Sequence, residues 1–255
     1  MQRALIACLA TLTIAAAAPA TRDSRTLDQG SFKIYRNYQA LGAETFEFVH
    51  GHDSLLVHAR QYLMIQTSRG DEPLERSVDA LYSFSDYALH EYQSSRTLGG
   101  TTTMRGLVVA DTHYVAYRQD SGLGEGDSRV LPPGRMFVMD AQVVTLFDLI
   151  GRSLHGSSFA SRPLNLLALG PRDTMLDARV VSLGNETIRW GARPVVARKL
   201  HIVADDETTF TLWIGPQGQL LRLSEPVGGL RAERDPPPVK RRPAPPPPPR
   251  PTPGG

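Results

Sequence analysis

Short stretches in which apolar and polar residues alternate, separated by turn residues about every ten positions, most constrain the fold of this chain. Phe46 and Phe48 alternate with polar neighbours, and Phe210, Leu212 and Ile214 repeat the same period of two. A period of two places alternate side chains on one face of a strand. Regularly spaced turn signals are typical of a meander, sandwich or open barrel. The sequence therefore predicts a mainly β fold.

The pattern is clearest near the end of the predicted domain. Strands are predicted at 194–204, 208–214 and 219–224. Between the last two, proline in the turn 215–218 presets φ at one position, and Gly218 can adopt the left-handed conformation that completes the turn. We expect three consecutive antiparallel strands here.

One segment breaks the β pattern. Apolar residues recur there at helical spacing, namely Val143, Val144, Phe147, Ile150 and Leu154. Asp140 is placed to act as an N-cap, so the predicted helix spans about 140–154. Its apolar stripe must be buried against another element. The predicted architecture is a curved antiparallel meander or open half-barrel with this one helix packed on its concave face.

The first twenty residues have the layout of a secretory signal peptide. Arg3 precedes a run of small and apolar residues, and cleavage is expected between Ala20 and Thr21. The run is shorter than the roughly 20 apolar residues of a membrane span. We expect a periplasmic or secreted protein that is not transmembrane after processing. A lipid anchor on Cys8, the only cysteine, is the alternative, but most of the apolar run follows that residue.

Composition divides the remaining chain. We predict a flexible N-terminal segment at 21–29, one β-rich domain at 30–230, and a disordered, basic, proline-rich tail at 231–255. Prolines fill eleven of the last twenty positions, and proline is excluded from helix and sheet interiors. The tail is predicted to be a solvated spacer, and the alternative is a strut that contacts an anionic envelope polymer, a membrane surface or a protein partner.

The charge of the chain argues against nucleic acid as a partner. The chain carries 28 basic and 26 acidic residues, but the excess of positive charge lies at its two ends. Without Arg3 and the four basic residues after position 239, the chain has 23 basic and 26 acidic residues. A nucleic-acid surface needs clustered positive charge, so we expect no nucleic-acid partner.

Catalytic and metal signatures are weak. His50, His52 and Asp53, with His58 nearby, have metal-like composition, but a histidine pair lacks the three or four ligands that a zinc site requires. The Gly126-Asp127-Ser128 stretch is similar to the nucleophile block of one esterase family, yet no triad can be assembled around it. We therefore predict no catalytic, metal or cofactor-binding residues, and the sequence favours a protein that is not an enzyme.

A family resemblance rests on the segments 31–35, 41–46 and 212–223. Together they resemble bacterial exported domains of unknown function in which a β-meander wraps partway around a helix. That shape is similar to the periplasmic lipoprotein carriers and other lipid-handling half-barrels. The resemblance implies a half-barrel fold and an apolar ligand such as a lipid, and it transfers no catalytic residue.

Two functions follow from this architecture. In the first, the concave face holds an apolar small molecule or lipid, such as an acyl chain. The predicted lining residues are Phe46, Phe48, Tyr62, Phe84, Phe210 and Leu212. In the second, the same residues are ordinary core, as aromatic residues in strands usually are, and the protein is an envelope structural or interaction module that acts through its surface and tail.

Overall fold

Alternating apolar residues form fifteen strands in the part of the chain that the computed structural model describes, which comprises residues 24–120, 123–140, 142–170 and 172–237. The first eight strands are β1 (Arg25–Arg36), β2 (Gln39–His50), β3 (Ser54–Thr67), β4 (Gly70–Ser83), β5 (Leu89–Leu98), β6 (Thr101–Ala110), β7 (His113–Asp120) and β8 (Leu123–Val130). The others are β9 (Met136–Asp140), β10 (Ser161–Leu169), β11 (Thr174–Trp190), β12 (Arg193–Ala204), β13 (Thr209–Ile214), β14 (Leu220–Glu225) and β15 (Leu230–Arg234). The helix α1 (Val144–Ser153) connects β9 to β10. The predicted signal peptide with its Ala20–Thr21 site, and the tail beyond residue 237, lie outside these residues.

All fifteen strands belong to one open sheet, so the predicted fold class is confirmed. The strand order is β8-β7-β6-β5-β4-β3-β2-β1-β15-β14-β13-β12-β11-β10-β9. Each half of the chain forms its own meander, and the halves meet where β1 pairs with β15, with Phe32 opposite Arg234. Pairing is antiparallel except between β9 and β10, because the crossover through α1 returns the chain in the same direction.

The two faces of the sheet differ in polarity. We call the face on which α1 lies the inner face and the opposite one the outer face. Along β3, Leu55, Val57, Ala59 and Leu63 are buried on the inner face, and the residues that alternate with this set point outward. Inner-face side chains from both halves and the apolar side of α1 form one continuous core cluster.

Turn chemistry explains the predicted C-terminal strands. Gly218 has a φ of +83°, and the Gly218 N–H donates to the Gly215 carbonyl at 3.0 Å. Glu207 takes the left-handed conformation in the preceding hairpin, with a φ of +68°. The three predicted strands correspond to β12, β13 and β14, so this part of the prediction is confirmed.

Two predicted boundaries need correction. The sheet begins at Arg25, inside the segment expected to be flexible at 21–29, and it ends at Arg234, inside the predicted tail at 231–255. Both ends are held because β1 and β15 pair with each other. The strand β8 at one edge of the sheet pairs with β7 along its length and exposes every side chain.

Candidate functional site

The predicted apolar lining is packed core. Phe46, Phe48, Phe210 and Leu212 are buried. The Phe46 ring lies 5.0 Å from Phe32 and 5.6 Å from Phe48, measured between ring centroids, distances that are typical of packed aromatic pairs. Phe210 packs in the same way against Phe147 of α1, at 4.6 Å. The helix therefore fills the space that these residues were expected to line.

Tyr62 and Phe84 do not join that group. Tyr62 is 55% exposed and lies on the outer face, because it is three residues from the inward-facing Ala59 and the strand period is two. Phe84 follows β4, is half-buried, and stacks on the His50 ring with 3.7 Å between centroids. The prediction that Tyr62 shares a face with Phe46 is wrong.

The N-terminus of α1 is capped from another strand. The buried Glu44 carboxylate on β2 accepts hydrogen bonds from the Val144 N–H at 2.9 Å, the Thr145 N–H at 2.7 Å and the Thr145 hydroxyl. The Gln61 amide also donates to it, at 2.8 Å. Burial raises the pKa of Glu44, and these hydrogen bonds oppose the shift. Glu44 thus satisfies the first amides of the helix, which otherwise lack acceptors.

The predicted cap, Asp140, has a different role. It is the last residue of β9; its carboxylate accepts the Tyr92 hydroxyl at 2.7 Å and pairs with Arg76 at 3.2 Å. The helix begins at Val144, and its N-cap residue Val143 makes no side-chain capping bond. The cap prediction is therefore wrong, because an acceptor a hundred residues earlier in the chain supplies what the local sequence does not.

A second set of charged side chains joins the helix to the centre of the sheet. Asp148 on α1 is buried and contacts Arg152 at 3.0 Å and Arg234 at 3.3 Å. Both arginines also pair with Asp28 on β1. The Leu220 N–H donates to Asp148 at 2.9 Å. We call Asp28, Asp148, Arg152 and Arg234 the Asp148 network.

The Asp148 network is balanced in charge. Burial raises the pKa of Asp148, and the charges of Arg152 and Arg234 oppose that shift. Burial would lower the pKa of Arg152, but the carboxylates of Asp148 and Asp28 outweigh it and raise that pKa. Two carboxylates and two guanidinium groups thus neutralise one another. This arrangement can position α1, and it leaves no surplus charge for a ligand.

Three arginines line a cavity of about 340 Å³ between the inner face of β4–β6 and the β9 and β10 ends. Arg76 on β4 and Arg96 on β5 are direct cross-strand partners. Arg105 on β6 pairs with Ser94, which lies two residues before Arg96 on the same face. Strand register therefore brings the three side chains to one wall. We call this space the three-arginine cavity.

An open cavity of about 600 Å³ lies beyond the C-terminus of α1. Its apolar walls include Leu154, Leu200 and Val196, and Val196 is 57% exposed. Arg198 stands among them: it donates to the Ser157 carbonyl at 2.7 Å and lies 4.4 Å from the centroid of the Phe159 ring. We call this space the Arg198 cavity.

Arg198 has no acidic partner among the ion pairs of the described residues. Burial lowers the pKa of its guanidinium. Its other hydrogen bond goes to the neutral Ser182 hydroxyl at 3.2 Å. An apolar wall with one cation that has no counter-ion can hold a molecule with an apolar part and an anionic group. The sequence could have suggested this only through the alternation of Val196, Arg198 and Leu200 along β12.

The histidines of the weak metal motif are separated. His58 pairs with Asp79 on the outer face at 2.5 Å, and His52 pairs with its neighbour Asp53 at 2.7 Å. Within the described ranges, no group of three or more histidine, cysteine and acidic residues could hold a metal ion. Asp127 of the serine motif lies on the exposed strand β8 and pairs with Arg129.

Comparison of the chain with protein-family models, with curated proteins and with solved structures found no match. In the part of the chain that the structure describes, the fold is a mainly β meander with one helix. The relationship to lipoprotein carriers stays a prediction. Within the residues described, no helix has the length and apolar character needed to cross a membrane.

Proposed function

We propose that this protein is an exported envelope protein that binds an amphipathic anion, such as a fatty acid, in the Arg198 cavity. The export part of the proposal rests on the predicted signal peptide. The ligand part rests on one observation: α1 ends at Ser153, and the inner face beyond it stays open around Arg198. The opening of about 600 Å³ lies within the roughly 300–1,000 Å³ of small-molecule sites.

The chemistry of the walls favours an acyl chain with a charged head. Val196 and Leu200 offer apolar contact, and burial of apolar surface drives such binding. The Arg198 guanidinium can form a charge-assisted hydrogen bond with a carboxylate or a phosphate. In this proposal the packed region around Phe46 and Phe210 is core. The ligand therefore lies beyond the end of α1 rather than between α1 and the sheet.

Binding of a fluorescent fatty-acid analogue to the delipidated full chain tests the proposal. We expect one-to-one binding that weakens about tenfold or more in Arg198→Gln, because a hydrogen bond to a charged group contributes about 1.5–3 kcal/mol. The matching fatty alcohol should bind both proteins equally. Arg179→Gln, an exposed position on β11, is the matched control and should change neither affinity.

A second variant separates binding from folding. Val196→Trp fills the cavity without removing a hydrogen bond, so it should abolish binding and leave the melting temperature nearly unchanged. Binding that survives both Arg198→Gln and Val196→Trp would place the ligand elsewhere. Absence of binding in every delipidated preparation would overturn the proposal.

An interaction module is the second candidate, favoured by a small apolar cluster on the outer face. Ile188, Ala197, Trp213 and Leu221 form this cluster, with Trp190 packed against it. The Trp190 indole N–H donates to the Arg234 carbonyl at 3.0 Å, next to the first prolines of the tail. A partner that binds this face would protect the fluorescence of the half-buried Trp190 from an aqueous quencher, and a fatty acid in the Arg198 cavity would not.

A further inference from the structure

The three-arginine cavity carries more positive charge than the protein around it compensates. Arg76 is paired with Asp140, and Arg105 lies 3.6 Å from Asp173. Arg96 belongs to none of the ion pairs among the described residues, so three guanidinium groups meet two carboxylates. Burial first, and then the charge of Arg76, lower the pKa of Arg96. The site therefore carries one positive charge that no carboxylate among its ion pairs compensates.

The placement of these charges is costly for the isolated fold. Arg76 and Arg96 are directly opposite each other on adjacent strands, an arrangement in which like charges destabilise a sheet. Arg76 is also buried, where charge is expensive unless it is compensated. Much of the described inner face is apolar, and its other charged groups include the balanced Asp148 network, the Glu44 cap and Arg198 at the opening beyond α1. A local cost that the fold does not compensate is typical of a binding site.

The remaining walls suit an oxyanion. Ser94 and Thr103 line the cavity beside the arginines and carry hydroxyl donors, and Gln142 adds an amide. Guanidinium groups bind carboxylates and phosphates through paired N–H bonds. Ile65 and Leu74 close the cavity with apolar surface, which leaves room for a small organic substituent beside the anionic group.

We propose that the three-arginine cavity binds a phosphate group, either as inorganic phosphate or as a phosphate monoester. A doubly charged tetrahedral anion can accept hydrogen bonds from three guanidinium groups and the nearby hydroxyls, and it suits them better than a single carboxylate does. The site lies on β4–β6 and shares no residue with the Arg198 cavity. It is therefore independent of the proposed fatty-acid site, and either can fail without the other.

Thermal unfolding of the full chain at constant ionic strength tests the proposal, with inorganic phosphate replacing chloride. We expect phosphate to raise the melting temperature by a few degrees in a saturable way, because a ligand that binds only the folded state stabilises it by mass action. In Arg96→Met the phosphate response should disappear. In phosphate-free buffer the same variant should melt at the same temperature as the unmodified chain or higher, because one like charge has been removed.

Controls separate this site from general ionic effects. Arg179→Met removes an exposed arginine on β11 and should keep the full phosphate response. Should Arg96→Met fail to fold, Arg105→Met provides the second variant, with at least a tenfold loss in phosphate affinity by calorimetry. An unmodified chain that shows no phosphate response, or an Arg96→Met variant that keeps it, would overturn the proposal.

The source of the phosphate is distinguished by three probes. Inorganic phosphate, glycerol phosphate and a short-chain lysophosphatidic acid present the same group with increasing substituents. Equal affinity for all three assigns the site to free phosphate, and rising affinity along the series assigns it to a phosphate monoester with an apolar substituent. Sulfate binding as tight as phosphate binding would contradict recognition of phosphate.

Discussion

The Asp148 network and the three-arginine cavity are both built from charged side chains on the inner face of the same sheet, and they differ in balance. The network pairs two carboxylates with two guanidinium groups around the wholly buried Asp148. The cavity sets three guanidinium groups against two carboxylates and leaves space beside them. This difference indicates that a buried cluster whose charges cancel stabilises the fold, whereas a partly open cluster with surplus charge is available to a ligand.

Removal of Asp148 should give the largest effect. Asp148→Ala leaves Arg152 and Arg234 with Asp28 as their shared counter-ion and removes the acceptor of the Leu220 N–H. Breaking a buried ion pair by deleting one partner costs about 3–5 kcal/mol. We expect a loss of that size in the free energy of unfolding, measured by urea denaturation. Asp177→Ala, at an exposed position on β11, is the control and should change stability by about 0.5 kcal/mol or less.

A small loss of stability in Asp148→Ala would contradict a structural role for the balanced network. It would mean that Asp28 alone can compensate both arginines, and that the network contributes little to the position of α1. Charge balance would then no longer distinguish a structural cluster from a binding cluster, and only ligand binding would show the role of the three-arginine cavity.

The Glu44 cap should have the next largest effect. Glu44→Ala leaves the buried amides of Val144 and Thr145 without their acceptor, and a buried group left without a hydrogen bond costs about 1–3 kcal/mol. We expect a loss of about 2 kcal/mol or more, together with faster amide exchange in the first turn of α1. Glu75→Ala, exposed on β4, should leave both unchanged. Unaltered exchange at Thr145 would show that another group caps the helix.

The smallest effect on stability is expected for the exposed pair of His58 and Asp79. This pair shows how little a solvent-screened ion pair contributes compared with the two buried clusters. The hydrogen bond to Asp79 raises the pKa of His58 above its usual 6.5. Because the folded pKa is the higher one, the stabilisation is complete below pH 6.5 and is lost as the pH rises through the folded pKa. Solvent screens the pair, so its contribution is about 1 kcal/mol or less.

Comparison of the unmodified chain with Asp79→Asn over this pH range measures the contribution of the exposed pair. The difference in unfolding free energy between the two proteins should shrink as the pH increases. A difference that stays constant, or that grows with pH, would contradict the assigned direction of the pKa shift.

The strands were predictable because their signals are local. Alternation along β13 and the turn residues around Gly218 are read within a few positions, and the structure confirms both. The helix was predictable for the same reason, although its start was displaced from Asp140 to Val144. The prediction for Tyr62 failed because alternation along a strand does not show which set of alternate residues lies on the inner face.

The candidate sites were not predictable, because each depends on contacts between distant segments. Glu44 caps a helix that begins a hundred residues later. Arg76, Arg96 and Arg105 belong to three separate strands, and only the strand register shows that they line one wall. The packing of Phe46 and Phe210 as core also depends on the position of α1, and the apolar pattern of those strands does not predict that position.

The seam between β1 and β15 has a kinetic consequence. Within each half, neighbouring strands are joined by short hairpins, apart from the helical crossover, and such local contacts form early in folding. The seam instead joins positions that are about two hundred residues apart, such as Ser31 and Asp235, whose side chains form a hydrogen bond at 2.6 Å. Contacts of such long range pay a large loop-closure cost and form slowly. The two half-sheets therefore become one sheet only when the last strand reaches the first, and Arg234 then brings its charge to Asp148.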